Sequence, residues 1–477
     1  METMNIKSKT IFTGDNLPIM RGINSESVDL IYLDPPFNSK TNYAAPIGSV
    51  AAGAEFKDTW TLNDVDAAWL DLIETKYPAL NRVIHAAMTD SDKSYLIYMA
   101  VRLLEMERIL KDTGSIYLHC DPTMSHYLKL AMDAVFGKEN FLADITWKRY
   151  AAHSLSKSAV DTISDHLLYY AKDNMCVIAN RVTSQLDTEK LNKKFPHVET
   201  ETGRRFQHVA LEQNSNRSSA GEVRKIGDKT VTSDIGWRWN QSTFDERIAK
   251  NPYLIYWTRT GKPRYKIYAD EYSGEPVGNI WTDIPYLASG DGERTGYPTQ
   301  KPVALLNRII EASSNESDVV FDPFCGCATT LVAADRLQRD WIGIDISAKA
   351  AELVVERIKA DQGLFQEIIA RTDIPKRTDL GNIPRYNASK NKIQLYGEQA
   401  GNCNGCGYHF EKQHLEIDHI IAKSVGGTDH IENLQLLCSH CNRIKGDRGQ
   451  EYLISKLLVY SKLFQYHLKR TLHKDKP

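Results

Sequence analysis

The chain has 477 residues, 42% of them hydrophobic and 25% charged, which are the proportions of a globular protein with two or three domains. Its formal net charge of −2 excludes a protein that coats nucleic acid through overall positive charge, so any basic surface is local. No apolar run reaches the ~18 residues of a membrane span, and residues 1–5 lack a signal-peptide core, so we expect a cytoplasmic protein.

Strand and helix patterns alternate over two stretches of the chain, an early one up to Trp147 and a late one after Asp318. Such alternation predicts a parallel sheet covered by helices. The expected elements are, in order, a strand–turn–strand unit over residues 11–33 with its turn at 14–16, helix 95–110 ended by Gly114, strand 115–120, helix 123–136, strand 141–147, strand 318–322, helix 328–337, strand 341–344 and helix 348–359.

A proline-stiffened tetrapeptide, Asp34–Pro35–Pro36–Phe37, ends the buried strand predicted over residues 28–33. The prolines fix φ and lack N–H donors, so the chain leaves the sheet in a rigid turn, at the edge where α/β sheets bind ligands. Asp34 and the carbonyl of Pro35 can accept the two hydrogens of an exocyclic amine while Phe37 stacks on its ring. The Asp-Pro-Pro triplet is equally compatible with an ordinary strand exit.

Regular patterning weakens between the two stretches. Residues 180–290 are polar, and basic groups such as Arg204 and Arg205 are interleaved with aromatic groups such as Trp237 and Trp239. Basic and aromatic side chains together suit a surface that contacts phosphates and bases. Composition alone supports an insertion with its own small core and no ligand about equally well.

The late stretch has the order strand, glycine turn, helix, strand, acid. Asp345 follows Gly326 by 19 positions (345 − 326 = 19), close to the ~20-residue offset at which a Rossmann-type fold places a carboxylate on ribose hydroxyls. No Gly-Lys-Ser/Thr follows the turn, so a nucleoside cofactor without phosphates fits best. Asp322 can then hold an ammonium group, and the N-terminus of the helix at Ala328 favours a carboxylate.

Three motifs in this order, Asp34–Phe37, Thr299–Pro302 and Asp322–Gly326, resemble the β group of DNA amino-methyltransferases. In that family the catalytic tetrapeptide precedes the S-adenosyl-L-methionine site, and a target-recognition region lies between them. The resemblance covers about residues 8–362. It implies an α/β fold, namely a Rossmann-like S-adenosylmethionine-dependent methyltransferase sheet of permuted motif order, with a target-recognition region inserted over residues 175–295 and double-stranded DNA as the partner.

The resemblance also implies roles for single residues. The catalytic ones are Asp34, Pro35, Pro36 and Phe37, and the cofactor contacts are Asp15, Lys301, Asp322, Phe324, Gly326, Thr329 and Asp345. For Lys301 the alternative is a solvated lysine ahead of a helix. The family's glycine loop usually reads Gly-Ser-Gly-Thr-Thr, whereas this one reads Gly-Cys-Ala-Thr-Thr from Gly326, and we expect Ala328 to keep φ below zero.

The tetrapeptide also predicts the chemistry. The nitrogen of an exocyclic amine is a poor nucleophile because its lone pair is delocalised into the ring. Two acceptors on its hydrogens localise that pair for in-line attack on a methyl sulfonium. The base must leave the duplex to reach such a site. In the family, Asp at the first position usually accompanies adenine N6 and Ser cytosine N4, so Asp34 predicts adenine N6, with cytosine N4 as the alternative.

Four cysteines near the C-terminus have the paired spacing of a tetrahedral zinc site: Cys403, Cys406, Cys438 and Cys441. The other four cysteines are expected to be reduced thiols. The residues around the zinc motif, which include Asp418, His419, Asn433 and Asn442, resemble the HNH endonucleases, a family of small ββα-metal nucleases.

By this second resemblance His419 would activate water, Asp418 and Asn442 would hold Mg²⁺ or a similar divalent ion, and Asn433 would orient the loop that follows His419. Asn442 stands where the family's third name-giving residue is usually histidine. The alternative is a zinc-stapled module that only binds DNA.

The predicted layout is a methyltransferase domain over residues 1–370, a linker over 371–395, an HNH domain with its zinc site over 396–450 and a basic C-terminal helix over 451–477. The expected function is methylation of adenine N6 in DNA together with phosphodiester hydrolysis, as in restriction–modification systems. A solitary methyltransferase, and a nuclease whose Rossmann part only senses S-adenosylmethionine, are the open alternatives. A homodimer is one candidate assembly.

Overall fold

The computed structural model describes residues 4–39, 43–44, 49, 51, 55–56, 73–74, 76–150, 160–184, 186–212, 218–288, 290–362, 367–381 and 383–457. The chain divides into two compact units, Met1–Arg181 with Gly278–Pro477, and Val182–Val277. Within the ranges above, no helix is both long and apolar enough to cross a membrane.

The strands are β1 Thr10–Thr13, β2 Val28–Leu33, β3 Tyr43–Ala44, β4 Glu55–Phe56, β5 Leu110–Cys120, β6 Phe141–Lys148, β7 Ser164–Ala171, β8 Thr183–Ser184, β9 His197–Val198, β10 Arg205–Ala210, β11 Val223–Ile226, β12 Lys229–Thr232, β13 Ile255–Trp257, β14 Pro263–Tyr268, β15 Glu275–Pro276, β16 Ile280–Trp281, β17 Val319–Asp322, β18 Asp340–Asp345, β19 Ile369–Arg371, β20 Leu415–His419 and β21 Leu434–Cys438. The helices are α1 Asn16–Arg21, α2 Pro78–His85, α3 Asp90–Ile109, α4 Ser125–Phe136, α5 Thr188–Lys194, α6 Gln241–Lys250, α7 Val303–Ser313, α8 Thr329–Arg336, α9 Ala348–Gln362, α10 Ser389–Glu398 and α11 Ser439–Lys445.

A nine-stranded sheet forms the centre of the first unit, in the order β16-β6-β7-β5-β2-β17-β18-β1-β19. The predicted α/β sheet is confirmed, but the expected parallel pairing fails at one strand. β7 is antiparallel to both β5 and β6. β7 is the next strand along the chain after β6 and lies beside it, and neighbours in sequence can pair directly only when they are antiparallel, because parallel neighbours need a crossover connection.

The two strand ends that were predicted to bind ligands, those of β2 and β17, lie side by side in the middle of this sheet. β17 lies beside β2 and parallel to it, with Val320 opposite Leu30 and Phe321 opposite Ile31. The carboxyl ends of both strands therefore point the same way. Asp34 and Asp322 share one sheet edge although 288 positions separate them (322 − 34 = 288).

A short helix, α1, replaces part of the turn that the sequence predicted between the first two strands. Asp15 is its N-cap and accepts a hydrogen bond from the backbone N–H of Leu17 at 3.0 Å. Pro18 stands in its first turn, where a missing N–H costs nothing. α1 packs against α3, and α3 and α4 cover the apolar face of β2 and β5 that contains Ile31 and Ile116.

The second unit contains a four-stranded sheet, in the order β13-β14-β10-β9, and the hairpin β11-β12. It has its own core, formed by Leu211, Ile226, Trp237, Trp239 and Phe244. The alternative prediction of a separate small core is confirmed, and the ligand of this region stays a prediction.

The C-terminal module is a hairpin of β20 and β21 with α11 packed on both strands, which confirms the ββα arrangement. Leu395 of α10 is buried in the same core as Leu415 and Leu436. Helix α10 therefore crosses the linker boundary predicted at residue 395. Residues 450–457 are helical, and the rest of the predicted basic helix lies outside the described residues.

Residues 375–379 of the predicted linker are docked on the start of the chain. The backbone N–H of Thr378 donates to Asn24 at 2.8 Å, and that of Ser25 donates to Asp379 at 2.9 Å. A Cβ on Gly22 would lie 2.1 Å from the carbonyl oxygen of Pro375, so this approach requires glycine.

Candidate active sites

A cavity of about 640 Å³ opens at the carboxyl edge of the nine-stranded sheet. Its walls come from the end of β1, the turn after β2, one face of α3, the segment before α7, and the turns after β17 and β18. All eleven of the predicted catalytic and cofactor-contacting residues of the methyltransferase line it: Asp15, Asp34, Pro35, Pro36, Phe37, Lys301, Asp322, Phe324, Gly326, Thr329 and Asp345.

Asp34 presents two different oxygens. Its Oδ2 accepts a hydrogen bond from the Nζ of Lys301 at 2.5 Å. Its Oδ1 is buried and has no hydrogen-bond partner among the described residues. A buried acceptor without a donor is costly unless a ligand supplies one. The carboxylate is thus held through one oxygen, and its other oxygen has no donor in the described chain.

Asp322 lies at the end of β17 and is 2% exposed. Burial raises the pKa of its carboxyl group to about 7, helped by the nearby charges of Asp34 and Asp345 and opposed by hydrogen bonds such as the one from the backbone N–H of Phe324 at 3.0 Å. A positively charged ligand group beside it would favour the ionised form.

The glycine loop follows Asp322 and joins the next strand through Asp345. The backbone N–H of Gly326 donates to Oδ2 of Asp345 at 2.9 Å, and the N–H of Ser347 donates to Oδ1 at 2.8 Å. Burial raises the pKa of Asp345. Gly326 has a φ of 49°, and a Cβ there would lie 3.0 Å from the ring of Tyr297, which also lines the cavity.

The expectation that Ala328 keeps φ below zero is wrong, because its φ is 68°. Ala328 is the residue immediately before α8, and its N–H donates to the carbonyl oxygen of Cys325 at 2.7 Å. This tight reversal into the helix needs a left-handed residue, which is where the family usually has glycine. Ala328 is fully buried and adopts the conformation at a cost of roughly 1–2 kcal/mol.

Arg102 of α3 organises the opposite wall. Its Nη2 donates to Oδ1 of Asp15 at 2.8 Å, and its Nε donates to Oδ1 of Asn16 at 2.7 Å. Asn16 in turn donates to the carbonyl oxygen of Pro323 at 2.8 Å. These bonds connect the start of α1 to the turn after β17, so Asp15 reaches the cavity from a fixed position.

In the C-terminal module the predicted nuclease residues already have protein partners. Nε2 of His419 is 2.8 Å from Oδ1 of Asp429, so Asp429 holds the imidazole. Asp418 is paired with Nζ of Lys445 at 2.9 Å, and Asn442 donates to Glu416.

Asn433 bridges the loop after His419. Its Oδ1 accepts from the N–H of Ile421 at 2.9 Å, and its Nδ2 donates to the carbonyl oxygen of Thr428 at 2.9 Å. This is the position that a loop-orienting residue requires. The predicted ion ligands Asp418 and Asn442 are each bound to a different neighbour.

The four cysteine Sγ atoms of the C-terminal module lie within 4.8 Å of one another. Tetrahedral zinc–sulfur bonds of ~2.3 Å would place the sulfurs about 3.8 Å apart, so the set fits zinc with a small contraction. The N–H groups of Gly405 and Cys438 donate to Sγ of Cys403 at 3.4 and 3.2 Å and would stabilise its thiolate. Cys403, Cys406, Cys438 and Cys441 would hold the ion and join β21 to the preceding loop.

Comparison with known families decides the identity. Residues 28–356 match the family described as DNA methylase. The chain belongs to the DNA methylase family. Residues 403–448 of this methyltransferase match the family described as HNH endonuclease, so it carries a C-terminal HNH domain.

Several named proteins are similar to this methyltransferase. Type II methyltransferase M.EcaI of Enterobacter cloacae is 31% identical over 315 residues, covering 65% of this chain and 68% of that protein. The StyLTI Mod subunit of the type III restriction-modification enzyme of Salmonella typhimurium is 28% identical over 350 residues, covering 70% of this chain and 51% of that subunit. DNA adenine methyltransferase YhdJ of Escherichia coli K12 is 24% identical over 380 residues, covering 80% and 91%.

Sequence reasoning missed several residues that shape the methyltransferase cavity, among them Tyr32, Arg102 and Tyr297. One signal was available for Arg102, because an arginine inside the apolar stripe of α3 needs a buried partner. Tyr32 precedes Asp34 by two positions and so lies on the same side of its strand. Tyr297 carried no recognisable signal.

Proposed function

We propose that this methyltransferase transfers the methyl group of S-adenosyl-L-methionine to N6 of an adenine flipped out of double-stranded DNA. One observation carries the proposal: Oδ1 of Asp34 is a buried acceptor without a donor, next to the carbonyl of Pro35 and the ring of Phe37. An amino group with two hydrogens, attached to a flat ring, satisfies all three features.

The protein's part in the reaction is to orient and to accept a proton. Asp34 and the Pro35 carbonyl accept the two N–H bonds and localise the nitrogen lone pair, while Phe37 stacks on the base. When bound, S-adenosylmethionine supplies an electrophilic methyl group on a sulfonium. In the transfer the nitrogen of the base would take the methyl group from the sulfonium, and the carboxylate of Asp34 would accept the proton that this nitrogen loses.

Two acidic side chains and the glycine loop would hold the cofactor. Asp345 would bind the ribose hydroxyls and Asp322 the ammonium of the methionine part, and both line the same cavity as Gly326 and Thr329 of the glycine loop. Lys301 is bound to Asp34 at 2.5 Å, so it serves the carboxylate as well as any contact with the cofactor.

The base is identified by its product. Unmethylated DNA incubated with the protein and S-adenosylmethionine, then digested to nucleosides, should yield N6-methyladenine by mass spectrometry. N4-methylcytosine in its place would contradict the adenine assignment and leave the methyl transfer intact. Asp283→Asn is the control, because Asp283 pairs with Arg308 and does not line the cavity.

We further propose that the HNH domain hydrolyses DNA phosphodiesters, with His419 as the general base held by Asp429 and with Asp418 and Asn442 binding Mg²⁺. The contact between His419 and Asp429 at 2.8 Å supports this role, because a carboxylate on one ring nitrogen leaves the other free to take a proton from water.

Nicking of supercoiled plasmid in Mg²⁺ or Mn²⁺ tests the nuclease. Wild type should nick and His419→Ala should not, whereas His414→Ala, an exposed histidine of the same domain, should behave as wild type. Absence of nicking by wild type, together with loss of methylation in Cys403→Ser, would instead assign the domain a DNA-binding role.

A further inference from the structure

A buried histidine lies directly behind the catalytic tetrapeptide. His119 of β5 is fully buried, and its ring stacks on that of Phe37, with centroids 5.9 Å apart and planes at 24°. The edge of the Trp147 ring closes another side at 5.9 Å. Phe37 also lines the cavity, so His119 supports the ring that would stack on the target base.

Both ring nitrogens of His119 are engaged. Nδ1 is 2.9 Å from the hydroxyl of Tyr32, and Nε2 is 3.1 Å from Oδ2 of Asp165 on β7. Nη1 of Arg149 donates to the same Asp165 oxygen at 3.3 Å. The chain Tyr32–His119–Asp165–Arg149 thus runs from the cavity wall into the sheet.

The proton positions follow from the two ends of the chain. Burial opposes ionisation of Asp165, but the hydrogen bond and charge of His119, with Lys301 and Arg149, outweigh it and lower the pKa of Asp165. Burial and then Asp34 raise the pKa of Tyr32, so its hydroxyl keeps its proton. Asp165 therefore accepts Nε2–H, and Nδ1 of His119 forms a hydrogen bond with the Tyr32 hydroxyl.

A purely structural role explains this arrangement poorly. An apolar ring in place of His119 would fill the same volume without the need to bury the carboxylate of Asp165, and buried ion pairs are weak sources of stability. Both groups that His119 touches on the cavity side, Tyr32 and Phe37, line the site, and Tyr32 lies on β2 two residues before Asp34, which follows the strand.

We propose that His119 is a positioning residue for methyl transfer: it fixes the plane of Phe37 by stacking and the hydroxyl of Tyr32 through Nδ1, and Asp165 fixes His119. The inference rests on methyl transfer at Asp34 and holds for adenine or cytosine. Because the chain orients groups around the target base and does not bind the cofactor, it acts on kcat and leaves the KM for S-adenosylmethionine unchanged.

The test compares Tyr32→Phe, His119→Phe and their double variant, with methyl transfer to DNA measured by a labelled donor. His119→Phe keeps a ring against Phe37 and removes both hydrogen bonds, and Tyr32→Phe removes only one hydroxyl. We expect each single variant to lose about 10- to 100-fold in kcat, since misplacement of a reacting group by ~1 Å costs up to that much, with KM for the donor within about twofold of wild type.

The double variant should be no slower than the slower single variant, because both changes break one chain. Tyr169→Phe is the matched control: it removes a hydroxyl that accepts from Ser313 at 3.1 Å in the same sheet, and should retain wild-type kcat.

Wild-type kcat in Tyr32→Phe, equal losses in Tyr169→Phe, or losses that multiply in the double variant would each overturn the proposal. If His119→Phe does not fold, Asp165→Asn replaces it, with the same expected loss. A wild-type product of N4-methylcytosine would contradict the adenine proposal while these comparisons still decide the role of His119.

Discussion

The key carboxylates of the methyltransferase cavity and of the HNH domain differ in their protein partners. In the cavity, Asp34 is held by Lys301 through one oxygen and keeps its other oxygen free of any partner in the described chain. In the HNH domain, Asp418 is bound by the ammonium of Lys445 and by Nε2 of Gln435 at 3.1 Å. Asp34 therefore has an acceptor oxygen without a protein donor among the described residues, whereas Asp418 would have to release Lys445 before it could bind the proposed Mg²⁺.

The comparison predicts different consequences of losing charge in the two sites. A preorganised acceptor contributes through its position, so neutralising it removes function directly. A carboxylate that is already neutralised by a buried lysine should gain ion affinity when that lysine is removed.

Asp34→Asn should have the largest effect. The amide keeps the shape of the carboxylate but replaces an acceptor with a donor and cannot take the proton, so we expect kcat for methyl transfer to fall by about 10³-fold, as for loss of one preorganised electrostatic group. Single-turnover transfer of labelled methyl measures it. Activity within about tenfold of wild type would refute the view that Asp34 is the working acceptor.

Affinity for S-adenosylmethionine should depend on pH through Asp322. Its pKa is about 7 in the free protein, and only the ionised form attracts an ammonium group. Affinity should therefore be full above pH 7 and fall by about tenfold per unit as the pH drops below 7. Calorimetric titration between pH 5.5 and 8 measures this, and Asp322→Asn should bind weakly at all pH values. A flat profile in wild type would exclude Asp322 as the ammonium partner.

Lys445→Met should tighten Mn²⁺ binding by the HNH domain. The Lys445 side chain is 1% exposed, so its charge acts on Asp418 with little screening, and methionine fills a similar volume. We expect affinity to rise by about tenfold in a Mn²⁺ titration followed by electron paramagnetic resonance. Arg443→Met removes an exposed charge from the same helix as the control. Unchanged affinity in Lys445→Met would show that Asp418 does not bind the ion.

Ala328→Gly should have the smallest effect. Relief of the left-handed backbone at φ 68° favours glycine, while the lost buried methyl and the freer unfolded chain oppose it, so we expect a gain of about 0.5–1 kcal/mol in the free energy of unfolding. Ala333→Gly within α8 should instead lose about 1 kcal/mol. Urea denaturation compares them, and equal losses in both variants would contradict the strain assigned to Ala328.

The sequence was sufficient where local chemistry determines the fold. Strands that end in acidic and proline or glycine residues, in the right order, were enough to place Asp34 and Asp322 on one sheet edge. The cysteine spacing likewise placed four sulfurs together, since each pair lies within one turn.

The sequence was insufficient where the pairing of strands distant in the chain determines which side chains meet. His119 and Asp165 meet only because β7 returns antiparallel to β5, which sets Leu167 opposite His119. Nothing near either residue signals that return. Helix α1 was missed because Gly14, Asp15 and Asn16 are typical turn residues, although Asp15 is also a typical N-cap. The φ of Ala328 is set by the sharp turn into α8. The usual preference of alanine for negative φ therefore predicted the wrong sign.

Residues 375–379 pack against residues 22–25, and this contact limits where the HNH domain that follows them can lie. A glycine of the HNH domain, Gly426, lies so near α1 that its Cβ would be 3.0 Å from the Pro18 carbonyl oxygen. The HNH domain is thus packed against α1 and is not tethered by a free linker. If it cuts DNA, the number of base pairs between the methylated base and the cleaved phosphodiester would be fixed. Cleavage products would then have one defined end and not a series of ends.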